Sequence, residues 1–126
     1  MVLRRFHVGN QVFRVVDEVS ETGGMEQAKI LLSPVYKYDY EQHKFSMLSP
    51  STIYRDKLAR ELGITPRDII NETILRAFTL KQVHAQGVHT LLEVTAFCRA
   101  YRNDPAAAMK SVGLDRKILT KEVAKL

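Results

Sequence analysis

The sequence predicts an α+β fold, with β-structure first and helices after it. Three observations carry that reading. Residues 1–41 are rich in β-branched and aromatic side chains and contain a two-residue turn signal. Residues 42–82 pass from a short alternating stretch into two helical patterns joined by a glycine. Residues 88–126 keep helical spacing between start and stop signals. Strands and helices segregated along a chain are the pattern of α+β proteins.

The first element is a hairpin. RRFHV and QVFRVV flank Gly9-Asn10, a favoured two-residue connection. DEVSETGG, residues 17–24, is polar and glycine-rich and predicts a loop. A short apolar run from Ala28 to Leu32 stops at Ser33-Pro34. VYKYDY then alternates through Tyr36, Tyr38 and Tyr40, which puts the tyrosines on one face of a strand. They read as sheet packing, with a stacking platform for bases as the alternative.

QHKFSM, from Gln42 to Met47, also alternates. Gln42, Lys44 and Ser46 share one side; His43, Phe45 and Met47 share the other. Ser49-Pro50 is a helix-start signal, and Leu58 and Leu62 lie on one helical face. Gly63 supplies the positive φ that ends this helix. Thr65-Pro66-Arg67-Asp68 restarts it, with Asp68 placed three residues after Thr65 as in a capping box. Ile70, Ile74 and Phe78 then form an apolar stripe, with Ile69, Thr73 and Ala77 beside it. Gln86-Gly87 breaks the pattern. A third helix is predicted from Thr90 to about Arg102, a fourth from Asn103-Asp104-Pro105 to Gly113, and a fifth in DRKILTKEVAKL.

Composition bounds the function. The chain has 126 residues, 45% hydrophobic and 26% charged, which suits a globular domain and not a disordered tail. No apolar run approaches the roughly 18 residues of a membrane span, and MVLRRFHVGNQVF does not read as a signal peptide. One cysteine, Cys98, excludes an intrachain disulfide and fits a reducing, cytoplasmic location. Within LLEVTAFCRAY it reads as a buried, inert thiol. The net charge of +5 permits nucleic-acid binding without requiring it.

Catalytic patterns are missing. There is no glycine-rich phosphate loop, no Gly-x-Ser-x-Gly elbow and no Cys/His cluster at metal spacing. His7, His43, His84 and His89 are scattered, and the five-residue gap between His84 and His89 fits one helical face poorly. The 14 carboxylates sit mostly beside basic residues. The expectation is therefore no catalytic residue, no metal and no cofactor.

LARELGITPRDIINETILRAF, Leu58 to Phe78, preceded by the strand at 42–47, resembles the ribbon-helix-helix family, the fold of the Arc and methionine repressors. The likeness covers about residues 42–80. It departs from the family in a short first helix, in His43 and Phe45 on the core side of the strand, and in a Thr-Pro restart. The resemblance implies a homodimer, because one short strand and two helices cannot bury their apolar faces alone. It implies an antiparallel two-stranded ribbon in the major groove of double-stranded DNA. By position, Gln42, Lys44 and Ser46 would read bases. Thr65, Arg67 and Asp68, opening the second helix, would hold a phosphate. Residues 1–41 would be a β-rich extension, 42–82 the DNA-binding core and 88–126 a helical extension. The extensions could widen the dimer or touch RNA polymerase or another regulator, and no membrane is implied.

NDPAAAMKSVGLDRKI, 103–118, resembles a scaffold segment of the flagellar regulator FlhD. AMKSVGLDRKILTKEVAKL is similar to the helix-turn-helix of Fis-type activators through Ala108, Gly113, Leu114, Leu119 and Val123. A packed helical hairpin is the plainer interpretation. All three likenesses imply a transcription regulator, an activator or a repressor. The first alternative is a helix-turn-helix DNA binder using Arg116, Lys117 and Lys121. The second is a structural or adaptor subunit that binds no DNA.

Overall fold

The computed structural model describes residues 1–26 and 29–126. It is mixed α+β, a four-stranded antiparallel sheet followed by helices. The described residues form two compact units, Met1–Leu62 and Gly63–Leu126. The expected core at 42–82 runs across that boundary.

In the first unit the sheet order is β1-β2-β3-β4. Strands β1 (Val2–Val8) and β2 (Gln11–Glu26) form the expected hairpin, and Gly9 takes the positive φ of 57° that its turn needs. The loop expected at 17–24 is instead part of β2. Strand β3 (Lys29–Asp39) pairs along it from Glu18 opposite Lys37 to Glu26 opposite Lys29, so its polar side chains belong to a paired ladder. The glycines mark an irregularity in that ladder. The register shifts between Thr22 and Met25, and Gly24 has φ 113°. The start of the apolar run expected at 28–32 lies outside the described residues.

The alternating tyrosines share a face with other rings. Phe6 stacks on Phe13 at 5.3 Å, Tyr36 stacks on Phe45 at 5.4 Å, and Tyr38 meets Tyr40 edge-on at 5.2 Å. The Tyr40 hydroxyl donates to Asp17 Oδ1 at 2.5 Å; this bond, then burial, raises the Tyr40 pKa. Of these pairs, Tyr36 with Phe45 is the cross-strand contact that sheet packing of the tyrosines requires.

Strand β4 (Lys44–Met47) is shorter than expected. Gln42 and His43 lie in the preceding turn, where His43 has φ 50° and Asp39 Oδ1 accepts the Glu41 and Gln42 amides, each at 2.9 Å. Strand β4 pairs with β3 of its own chain, from Tyr36 opposite Met47 to Asp39 opposite Lys44. A strand paired only by a twin molecule is therefore not what forms here. Its other edge is open among the described residues.

Helix α1 (Ile53–Leu62) begins later than Ser49-Pro50 suggested. The Ser49 hydroxyl donates instead to the Pro34 carbonyl at 2.7 Å. The cap comes from Glu21 on β2. Its carboxylate accepts the Ser51 hydroxyl and the amides of Thr52, Ile53 and Tyr54 at 3.2, 3.3 and 3.2 Å. An anion at a helix start meets orphan N–H groups and the positive end of the dipole. Burial alone would raise the Glu21 pKa, but these hydrogen bonds outweigh it and hold it below the ordinary range.

The second unit is helical: α2 (Pro66–Ala85), α3 (Leu91–Asn103), α4 (Pro105–Ser111) and α5 (Arg116–Val123). Its starts match their sequence signals. Thr65 and Asp68 form a reciprocal capping box, Thr90 caps α3 with Glu93, and Asp104 caps α4 ahead of Pro105. Leu75, Tyr101, Ala108, Met109 and Val123 form the core, with Ile74, Phe97, Leu114 and Leu119 packed against it. Met109 is fully buried, so its truncation to alanine removes roughly 2–5 kcal/mol.

The buried line of α2 is not the stripe expected. Leu75, Thr79 and Val83 are its buried residues, spaced by four, while Phe78 stays 47% exposed. Thr79 can be buried because its hydroxyl donates to the Leu75 carbonyl at 2.8 Å.

Candidate nucleic-acid interface

The chain ends in two short helices joined by a tight turn. Gly113, at φ 79°, makes the turn, and its amide donates to the Lys110 carbonyl at 3.0 Å. Val112 is buried on one side of it, and Leu114 packs on the core from the other. Asp115 then caps α5, accepting the amides of Lys117 and Ile118 at 2.8 and 3.1 Å. Leu119 and Val123 anchor α5 to the core. Lys117, Ile118, Thr120 and Lys121 stand exposed on its other side. With its side chains a helix such as α5 is about 10–12 Å across, which the roughly 12 Å width of the major groove admits.

Arg116 differs from its basic neighbours. Its Nη2 lies 2.8 Å from Glu72 Oε2, and its Nη1 donates to the Tyr101 hydroxyl at 3.0 Å. Arg76 Nε adds a second ion pair to Glu72 at 3.0 Å. Burial alone would raise the Glu72 pKa, but the hydrogen bonds and charges of Arg76 and Arg116 outweigh it and lower it. Burial would likewise lower the Arg116 pKa, and Glu72 followed by Tyr101 outweighs it and raises it. Of the basic residues predicted for this end, Lys117 and Lys121 point outward, while Arg116 holds α5 to α2.

The ribbon residues are dispersed. Lys44 and Ser46 are exposed on β4, opposite Asp39 and Lys37 of β3. Gln42 is off the strand. At the start of α2, the Asp68 amide donates to Thr65 Oγ1 at 3.2 Å, and Asp68 Oδ2 accepts the Thr65 amide at 2.9 Å and its hydroxyl at 2.7 Å. The Thr65 side-chain bond, then the backbone bond, lowers the Asp68 pKa, which keeps a negative charge at this site. The capping box thus takes up amides that a phosphate would use, and Pro66 offers none. Arg67 is exposed beside it.

Several features were not anticipated. Arg5 lies directly opposite Arg14 on the β1–β2 ladder, a like-charge pair that disfavours the sheet unless an anion lies over it. The rings of His84 and His89 come within 4.8 Å across the turn after α2, and no group of three metal-ligating side chains forms among the described residues. Cys98 is exposed and not buried as its apolar setting suggested; Phe97 and Tyr101, four residues apart on one helical face, take the inner side. The Glu72–Arg116 pair joins residues 44 apart, which no local spacing reveals.

No helix of the described residues is long and apolar enough to cross a membrane. Compared with known families and curated proteins, the chain matches no family model and no curated sequence.

Proposed function

We propose that the chain is a sequence-specific DNA-binding regulator of transcription that acts as a homodimer and reads the major groove with α5. The observation that carries this reading is the α4–turn–α5 pair, whose second helix is anchored on one side and presents Lys117, Ile118, Thr120 and Lys121 on the other. A recognition helix needs that division: one face fixed by packing, the other free to meet base edges and phosphates. The net charge of +5 favours approach to DNA. The half-exposed Phe78 on α2 and the open edge of β4 are surfaces that a second copy can cover.

The ribbon reading, with Lys44 and Ser46 on base edges, has the open β4 edge in its favour. It requires β4 to leave β3, since strands about 4.8 Å apart make a four-stranded sheet too wide for a groove of about 12 Å.

Selection of bound duplexes from random DNA, followed by affinity measurements at two salt concentrations, tests the proposal. A recurrent site, bound more weakly as salt rises, supports it. Absence of enrichment, or affinity indifferent to salt, favours an adaptor subunit instead.

A further inference from the structure

The second unit contains a cleft of about 350 Å³ between α2 and α3, within the size range of small-molecule sites. Leu80, Phe97, Tyr101 and Pro105 form its apolar walls, and Arg76 and Arg102 supply its charge. The Tyr101 hydroxyl is occupied by Glu72 and Arg116, at 3.2 and 3.0 Å, which leaves the ring as its contribution to the cleft. Arg76 stands over that ring, 5.8 Å from its centroid.

The charges around the cleft do not balance. Arg76 and Arg116 share the single carboxylate of Glu72. Arg102 adds a third guanidinium and has no ion pair among the described residues. The neighbouring Asp104 accepts the Ala107 amide at 3.0 Å as the cap of α4. An apolar, ring-lined cleft with surplus guanidinium charge suits one class of ligand: a flat apolar body with a single carboxylate. Arginine favours that group because its fork of donors matches both oxygens.

We propose that this cleft binds a small aromatic or alicyclic carboxylate, and that its occupancy is felt by α5. The route is short. Arg76 and Tyr101 line the cleft, both contact Glu72, and Glu72 holds Arg116, the first residue of α5. A carboxylate drawing on Arg76 competes with Glu72 and alters the hold on α5. The coupling to DNA rests on the function proposed above; binding in the cleft does not.

Cys98 lines the same cleft and is the only cysteine of the chain, so its alkylation reports occupancy without ambiguity. The probe is 2-naphthoate, compared with neutral 2-naphthamide, on the full chain with N-ethylmaleimide and mass readout. We expect saturable protection by the acid at a concentration about tenfold below that of the amide, the scale of one charge-assisted hydrogen bond. Arg102→Gln should cut the preference for acid several-fold, since Arg76 alone remains to meet the carboxylate, Arg102→Lys should keep more of it, and Arg99→Gln, outside the cleft, should leave it intact. Equal protection by acid and amide, protection that does not saturate, or an unchanged preference in Arg102→Gln overturns the site. In a second arm, 2-naphthoate should shift the affinity for selected DNA in the wild type, and in Arg102→Gln the same shift should need a several-fold higher concentration. Protection of Cys98 with no shift in DNA affinity overturns the coupling and leaves the site standing. Failure to bind any DNA overturns the proposed function, while the alkylation arm still decides the cleft.

Discussion

Glu72 and Arg116 meet at 2.8 Å across 44 residues of sequence, and the contact fastens the first residue of α5 to the middle of α2. Both side chains are about 30% exposed, so water screens the pair and its contribution is moderate. It also organises its neighbours, because Arg76 and Tyr101 bond the same carboxylate.

Glu72→Gln should destabilise the chain by about 1–2 kcal/mol, since it leaves two guanidinium groups without their counter-charge. Urea midpoints measure this. In a double-mutant cycle, Arg116→Gln should cost much less in the Glu72→Gln background than in the wild type. Additive losses would show that the two residues do not support one another.

The same carboxylate sets a pH dependence. Its pKa in the folded chain lies below the ordinary value of 4.5, so the unfolded chain takes up the proton first as pH falls. Stability from Glu72 is therefore present above pH 4.5 and is lost as pH drops through the folded pKa. Glu21 contributes with the same sign. Urea midpoints followed below pH 5 should fall less steeply in Glu72→Gln and in Glu21→Gln than in the wild type.

Glu21→Ala should weaken α1, whose first amides then lose their cap; the loss is about 1 kcal/mol, the size of an ordinary capping residue. Hydrogen exchange should quicken at Ile53 and Tyr54 and remain unchanged in α3. Unaltered exchange at Ile53 and Tyr54 would show that Ser51 and its neighbours cap the helix unaided.

Gly113→Ala should lower stability by about 1 kcal/mol through backbone strain at φ 79° and not through a clash, because nothing beyond the adjoining residues lies within 4 Å of where the new Cβ would sit. Gly113→Asn should lose less, since asparagine tolerates that region better. Thermal melts of the two variants check the order.

Local chemistry was legible in the sequence and non-local chemistry was not. Gly9-Asn10, Thr65 with Asp68, Thr90, and Asp104-Pro105 announced a hairpin and three helix starts, because each acts within a few residues of itself. The stretch at 17–24 misled because polar residues and glycines mark loops, yet they also suit a partly buried strand with an irregular ladder, in which Asp17 is buried. The stripe Ile70, Ile74, Phe78 was a sound helical pattern, but the partners of α2 decide which face is buried, and they select Leu75, Thr79 and Val83. For the candidate site, Lys117 and Lys121 entered through the likeness to a helix-turn-helix, and the fold adds that both are exposed on α5. The loss of Arg116 to Glu72 depends on a contact that only the fold creates, whereas the capping box that closes the α2 start is local and was already legible in Thr65 and Asp68.

The most direct test compares two pairs of substitutions on a DNA site selected by the wild-type chain, using fluorescence anisotropy at fixed salt. Lys117→Ala with Lys121→Ala should weaken specific binding about a hundredfold, the scale of two lost contacts in the groove, while Lys44→Ala with Ser46→Ala should change it little. The reverse outcome, with the β4 pair abolishing binding and the α5 pair leaving it unchanged, would contradict the assignment of α5 as the reader.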